Sequence, residues 1–357
     1  MPRTERGAAL AVVLWGLVVG GALLTLLTIL AVQEQRAAAA LRREERGLVG
    51  AERAGAELLG RLTAGRLQAV LPGTLDSLAL DAGAEWSALV RRLTSEVVLL
   101  EVVPRIPVGP GAREAAAVRL GWLLRPRPDS VSPVAAVSVG EPVELGDDVV
   151  ISGVDETAPE FDNCSSPDSA IAGIAAPSVV GGSAQLLGDP LQLLQTGTDL
   201  GEFDRFKDRT TLVLPGGTYA TGPATVGTSC DLQLSTNWGD PVGPGTPCSK
   251  YLPVIRVDGD LTIDGVVGQG ILLVDGNLRV AAPFTFHGIV IVKGAVDITA
   301  PTEVRGILAA AELHSGSGPV SKLKVNYSKC IISNDLAFSA LLSPLSSRAW
   351  IQLFQAP

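Results

Sequence analysis

Gly270-Ile-Leu-Leu-Val-Asp-Gly276, Gly288-Ile-Val-Ile-Val-Lys-Gly294 and Gly306-Ile-Leu-Ala-Ala-Ala311 repeat one pattern at positions 270, 288 and 306, a step of 18 residues. Val254-Ile-Arg-Val-Asp-Gly259 precedes them by 17, counted from Gly259 to Gly276. Each repeat opens on a glycine and continues as an aliphatic run, too short to bury its own apolar side. A period of this length marks a β-solenoid, in which each repeat is one coil stacked on the last. Coils then rise by the strand spacing, about 4.8 Å.

Alternation along a strand assigns faces. On the first face Ile255, Val257, Leu272, Val274, Val290 and Val292 point inward. Their outward neighbours Ile271, Leu273, Ile289 and Ile291 are also apolar, so this face must be covered from outside. On the second face Leu261, Ile263, Leu278, Val280, Val296 and Ile298 point in. Asp260, Thr262, Asn277, Arg279, Asp297 and Thr299 face water there. Phe284, Phe286 and Val304 fill a third side. Open coil ends invite edge pairing, so both need a cap. The 336–357 segment is the expected one, with Trp350, Gln352 and Phe354 alternating with Ile351 and Leu353 in a final strand.

Outward from the repeat, the coil texture reaches back to about 131, with β-type runs at 134–139, 143–145, 149–151 and 211–219. The looser 155–209 reads as an insertion in this 131–335 body, with a helix over 186–206. Before it, 66–128 reads as a small α+β domain. There 84–97 carries Trp86, Leu89, Val90 and Leu93 at helical spacing, and 97–103 and 115–124 read as strands. Arg125-Pro-Arg-Pro-Asp129 marks the boundary.

The N-terminal stretch Ala8-Ala-Leu-Ala-Val-Val-Leu-Trp-Gly-Leu-Val-Val-Gly-Gly-Ala-Leu-Leu-Thr-Leu-Leu-Thr-Ile-Leu-Ala-Val32 carries no charge. As a helix it is about 37 Å long, enough for a bilayer core of about 30 Å. It is longer than a signal-peptide core, and Gln-Glu-Gln-Arg follows it rather than a small-residue cleavage site. Residues 33–65 stay helix-permissive, with Leu41, Leu48, Leu58, Leu59 and Leu62 as a thin apolar stripe. They either continue the anchor helix or form a short juxtamembrane one. Arg3 and Arg6 before the span, and Arg36, Arg42, Arg43 and Arg46 mixed with acids after it, do not fix its orientation. The fold class is therefore mainly β with a long N-terminal α-helix: transmembrane helix, small α+β domain, then a solenoid of about 18 residues per coil.

Composition agrees. The 357 residues include 40 Gly and 24 Pro, which favour turns and strands, and only 4% aromatics. The net charge of −9, without a basic cluster beyond the membrane flank, disfavours nucleic acid as a partner. Cys164, Cys230, Cys248 and Cys330 form no C-x-x-C pair and keep no metal-ligand spacing with histidine. Behind a membrane anchor an even count points to two disulfides in an oxidising compartment; four buried thiols are the alternative. Three pairings are open. The Gly/Pro loop between Cys230 and Cys248 makes that pair the first expectation, leaving Cys164 and Cys330 to each other.

No catalytic, cofactor or metal site is expected. Asp258 and Asp275 would stack as in some polysaccharide-cleaving solenoids, but Lys293 and Ala311 follow them, and Asp-Gly corners explain both acids. His287 and His314 are out of register and read as surface or corner residues. Gly181-Gly182-Ser183 lacks the context of a nucleophile elbow.

Arg6-Gly7-Ala8-Ala9-Leu10-Ala-Val-Val-Leu-Trp15 resembles the start of pilus-assembly PilX-type proteins and of the K-type minor pseudopilin of type II secretion. That resemblance implies cleavage by prepilin peptidase between Gly7 and Ala8, leaving 1–7 as leader. It also implies an inner-membrane helix, a body outside that membrane, and other pilin or pseudopilin subunits as partners. Major pilins carry Glu where this chain has Val12; K-type subunits also lack it, which fits a minor subunit. The body resembles the β-body of some PilX-type proteins at Val274-Asp-Gly-Asn-Leu278, Phe284-Thr-Phe-His-Gly-Ile-Val290 and Val325-Asn-Tyr-Ser-Lys-Cys330. Its texture is similar to bactofilins, which are cytoplasmic polymers; the anchor and cysteines argue against that location. The expected role is a non-enzymatic, membrane-anchored structural subunit of a type IV pilus or type II secretion-like system. The alternatives are an independent envelope adhesion or polymer-binding solenoid and, third, a carbohydrate-active enzyme.

Overall fold

The computed structural model describes residues 5–59, 62–67, 75–78, 86–94, 97–104, 119–128, 130–158, 164, 170–181, 183–195, 201–243, 245–265, 267–316, 318–345 and 350–353. The chain opens with one continuous helix, α1 (Glu5–Leu59), of 55 residues. Anchor and extension are therefore a single rod about 80 Å long. It leads to an antiparallel sheet of β1 (Leu75–Leu78), β2 (Trp86–Arg92), β3 (Val98–Pro104) and β4 (Arg119–Arg127). The helix expected over 84–97 is a strand. β2 buries Ala88 and Val90 and turns Arg91 outward, a period of two that the helical spacing of its larger apolar residues conceals. Pairing with β1 and β3 on both edges decides it. Short-range spacing could not show those partners.

The chain then enters the body with β5 (Ala135–Val139), β6 (Val143–Leu145), β7 (Val149–Ser152), β8 (Ala172–Ala176), β9 (Val179–Gly181), β10 (Gln185–Leu187) and β11 (Gln192–Leu194). Where a loose insertion and a helix over 186–206 were expected, these strands are coils of the stack. The only helix described there is the short α2 (Gly201–Lys207). After it come β12 (Leu212–Tyr219), the small hairpin β13 (Thr225–Val226) and β14 (Ser229–Cys230), then β15 (Val254–Ile263), β16 (Val267–Val274), β17 (Leu278–Val280), β18 (Phe284–Ile298), β19 (Thr302–His314) and β20 (Leu323–Asn326). The helix α3 (Lys329–Phe338) follows, then β21 (Leu341–Pro344) and β22 (Trp350–Leu353).

Parallel pairing stacks the coils in register. On the first face one column runs Leu212, Ile255, Leu272, Val290, Leu308, Val137, Ile174, Gln192. On another it runs Gly268, Phe286, Val304, Val325, Ile151, Leu186. The second face carries Gly217, Leu261, Leu278, Val296 and Leu313. The order in space is not the order in sequence. The chain enters mid-stack at β5 and winds out to β11. It then crosses back through α2 to β12 at the far end and winds inward until β19 and β20 meet β5 and β7.

That topology puts the body's entry and exit side by side. β21 pairs with β4, Leu341 opposite Arg127, and β22 also pairs with β4, Trp350 opposite Trp122. The C-terminal strands therefore complete the antiparallel sheet under α1. They do not cap the coil, as expected for 336–357, and Leu336 lies in α3. Because its two ends are neighbours, the stack sits between adjacent strands without pulling them apart.

The doubly apolar first face is covered. Ile271, Leu273, Ile289 and Ile291 are buried in one core with Phe203 and Phe206 of α2 and Ile332 and Leu336 of α3. The second face is wet: Asp260, Asn277 and Arg279 are exposed over buried Leu261, Leu278 and Val280. Side chains at its corner tie coil to coil. Asp260 Oδ1 accepts the Asn277 N–H at 2.7 Å, and Asn277 Oδ1 accepts that of Ala295 at 2.9 Å. Gly270, Gly288 and Gly306 align at another corner with φ of 99°, 143° and 142°, a region side chains avoid.

Candidate membrane and assembly surface

Two halves of α1 have opposite environments. In the N-terminal half Val12, Trp15, Leu17 and Leu24 are each about 70% exposed. Among the described residues this is the one helix long and apolar enough to cross a membrane. Its only hydroxyls in that stretch turn back on the helix: Thr25 Oγ1 donates to the Gly21 carbonyl and Thr28 Oγ1 to that of Leu24. Neither hydroxyl is thereby left unpaired on the apolar surface.

In the C-terminal half Gly47, Ala51, Ala54, Gly55 and Leu58 are buried on one face. They sit at i, i+4, i+7, i+8 and i+11, and pack on Val90, Leu100, Val102, Leu120, Trp122 and Leu124 of the sheet. Small residues let the helix backbone approach closely; a Cβ on Gly55 would overlap the Trp122 ring. Of the expected leucine stripe, Leu58 and Leu62 are buried, Leu48 and Leu59 lie half-buried against the core, and Leu41 is exposed. The seat is thus made chiefly by alanine and glycine, whose spacing was readable but which a search for large apolar residues passes over. Gly7 and Ala8 lie near the start of α1.

The cysteines join as Cys164–Cys330 and Cys230–Cys248. The second pair staples the loop whose fully buried Trp238 covers the stack beside Gly268. The Trp238 carbonyl accepts the Gln269 N–H at 2.8 Å, and Gln269 Nε2 donates to the carbonyls of Cys248, Ser249 and Tyr251.

Asp258 and Asp275 are neutralised by cations rather than gathered into an acidic site. Arg256 bridges them at 2.7 and 3.0 Å, and Lys293 Nζ donates to Asp275 at 2.8 Å while lying 3.9 Å over the Phe203 ring. Burial raises the Asp275 pKa, but the hydrogen bonds and charges of Lys293 and Arg256 outweigh it and leave the group below its usual value. An acid held ionised between two fixed cations is not a proton donor. Among the described residues no cluster of three or more His, Cys, Asp or Glu is placed to hold a metal ion.

His287 is not a surface residue. It is 5% exposed, and burial, with Arg305 beside it, lowers its pKa to about 3. His314 is half-exposed, 3.6 Å from Asp297. Ser183 donates to Asp147 on the surface. Sequence reading passed over Asp335 altogether. It is 1% exposed on α3, neither oxygen has a hydrogen-bond partner among the described residues, and burial raises its pKa well above the usual 3.8.

No protein-family model matches the chain. No curated protein matches it in sequence. Among solved structures it is similar to the competence-associated pilin ComZ from Thermus thermophilus, at 10% identity over 84% of this chain and 91% of that one. The TM-score is 0.24, a likeness too slight to carry an argument.

Proposed function

We propose that this chain is a single-pass, membrane-anchored, pilin-like structural subunit whose body lies outside the inner membrane. The observation that carries this reading is the division of α1. Its uncharged N-terminal half is bare, and its C-terminal half is seated on an antiparallel sheet completed by the C-terminal strands. A bare apolar rod needs lipid or the helices of other subunits. Paired cysteines suit an oxidising space beyond the membrane. In this reading prepilin peptidase cuts between Gly7 and Ala8, the new amino terminus begins the assembly helix, and Val12 marks a minor subunit of a PilX or K type. The coil stack is the surface presented, and the role is non-enzymatic.

Mass spectrometry of the mature amino terminus, from cells with and without prepilin peptidase, tests the reading. A chain beginning at Ala8 only where the peptidase is present is expected. An intact Met1 in both, or a cut beyond residue 32, refutes it.

A further inference from the structure

The two ends of the coil stack are finished differently. At the β12 end the edge strand contains Pro215, which has no N–H to offer, and its register shifts between Pro215 and Gly217. Tyr219 folds back, its hydroxyl donating to the Pro215 carbonyl at 2.8 Å. Leu214 is buried beneath, 4% exposed. These are devices that blunt an edge against pairing.

At the opposite end the one proline, Pro190, lies in the turn between β10 and β11 and not in an edge strand. β9, β10 and β11 are the outermost strands there, each paired on one side only among the described residues. Their sequences, Val-Val-Gly, Gln-Leu-Leu and Gln-Leu-Leu, hold neither proline nor charge. Val180, Leu187, Leu191, Leu193 and Leu194 are 62%, 40%, 55%, 37% and 70% exposed. Leu194 stacks on Ala176, which shares one buried core with Val139, Ala310 and Val292, so the stack's own core surfaces here.

We propose that this end docks against the same end of a second copy of the chain, forming a two-fold dimer. Charge selects that occupant. The chain carries −9 overall, so two copies repel unless they meet through a surface short of charge. Residues 179–195 contain one ionisable side chain, Asp189. In a two-fold contact the same patch meets itself, residue i facing residue j and j facing i, and an uncharged, apolar patch is self-complementary in any such arrangement. The symmetry reverses strand direction, so the free edges pair antiparallel, and the edge N–H and C=O groups gain partners as the leucines leave water. A head-to-tail stack is disfavoured because the β12 end cannot serve as the complementary edge. This inference does not rest on the pilin-like reading.

The test is the protein mass of the full chain in detergent, by light scattering corrected for bound detergent. Twice the 36.8 kDa chain mass is expected for the unmodified chain. Leu194→Glu is expected to give the single mass, and Val213→Glu, on the 57%-exposed Val213 of the blunted end, to remain double. A monomeric parent chain overturns the proposal. So does a dimer that Leu194→Glu leaves intact, which would place the contact elsewhere, α1 included, or one that both substitutions dissolve. Should Leu194→Glu lose its β-sheet circular dichroism, Gln192→Cys at the exposed edge decides instead. Oxidation is then expected to link two copies covalently, and failure to link overturns the proposal.

Discussion

Gly288→Ala tests the stacked-coil account at its tightest point. Gly288 has φ of 143° and lies between Gly270 and Gly306 in one column. A methyl group there would overlap the Gly270 carbonyl oxygen and come within 2.6 Å of Asp335 Oδ2. The backbone conformation alone costs a side chain about 1–3 kcal/mol. Moving a carbonyl out of the β16–β18 ladder costs about 1 kcal/mol more, and pushing α3 off its seat about 1–3 kcal/mol. The sum is about 3–7 kcal/mol, a large part of the 5–15 kcal/mol that holds a typical domain. Gly227→Ala is the control: its φ is also positive, 62°, but a methyl there meets nothing within 4 Å, so about 1 kcal/mol is expected. Urea unfolding in detergent, followed by circular dichroism, reads both. If the two variants fall within about 1 kcal/mol of each other, the glycine column is not a close-packed corner and the coil geometry is wrong.

Three further outcomes follow from the buried groups and the loop staple. His287 stays neutral in the fold down to about pH 3, whereas the unfolded chain takes up its proton below about 6.5. Stability should therefore fall as pH drops through that window, by on the order of 5 kcal/mol, and His287→Gln should flatten the acid limb of a melting-temperature profile. Asp335 acts with the opposite sign. The fold holds a proton that the unfolded chain releases above about 3.8, so its contribution is lost as pH rises. Asp335→Asn should melt higher than the parent at neutral pH, the gain vanishing near pH 4; equal gains at both values would contradict a buried acid. Replacing Cys230 and Cys248 by serine opens a loop whose ends are 18 residues apart and should cost about 3 kcal/mol, read as a melting temperature that reductant no longer lowers by that route.

What could be read in the sequence was whatever repeats or runs unbroken. The uncharged stretch 8–32 specifies a helix long and apolar enough to span a membrane. The 17- and 18-residue steps specify the coils, because in-register parallel stacking places each repeat on the one before. The inward and outward rows on 254–299 follow from alternation, and the observed burial matches them. Doubly apolar strands also declared that the first face would be covered.

Tertiary structure decided everything that depends on a distant partner. Residues 84–97 carry apolar side chains at helical spacing, yet strands on both edges of 86–92 make it a strand. Residues 336–357 alternate like a last coil, yet β4 offers the edge that takes them. Nor does local sequence tell that the stack begins in its middle: the β19–β5 seam joins Leu308 to Val137, far apart along the chain. His287 and Asp335 look like ordinary polar residues until α3 and the adjoining coils exclude water from them. Periodicity records a residue's neighbours along the chain, whereas burial and edge pairing are set by whatever the rest of the chain brings alongside.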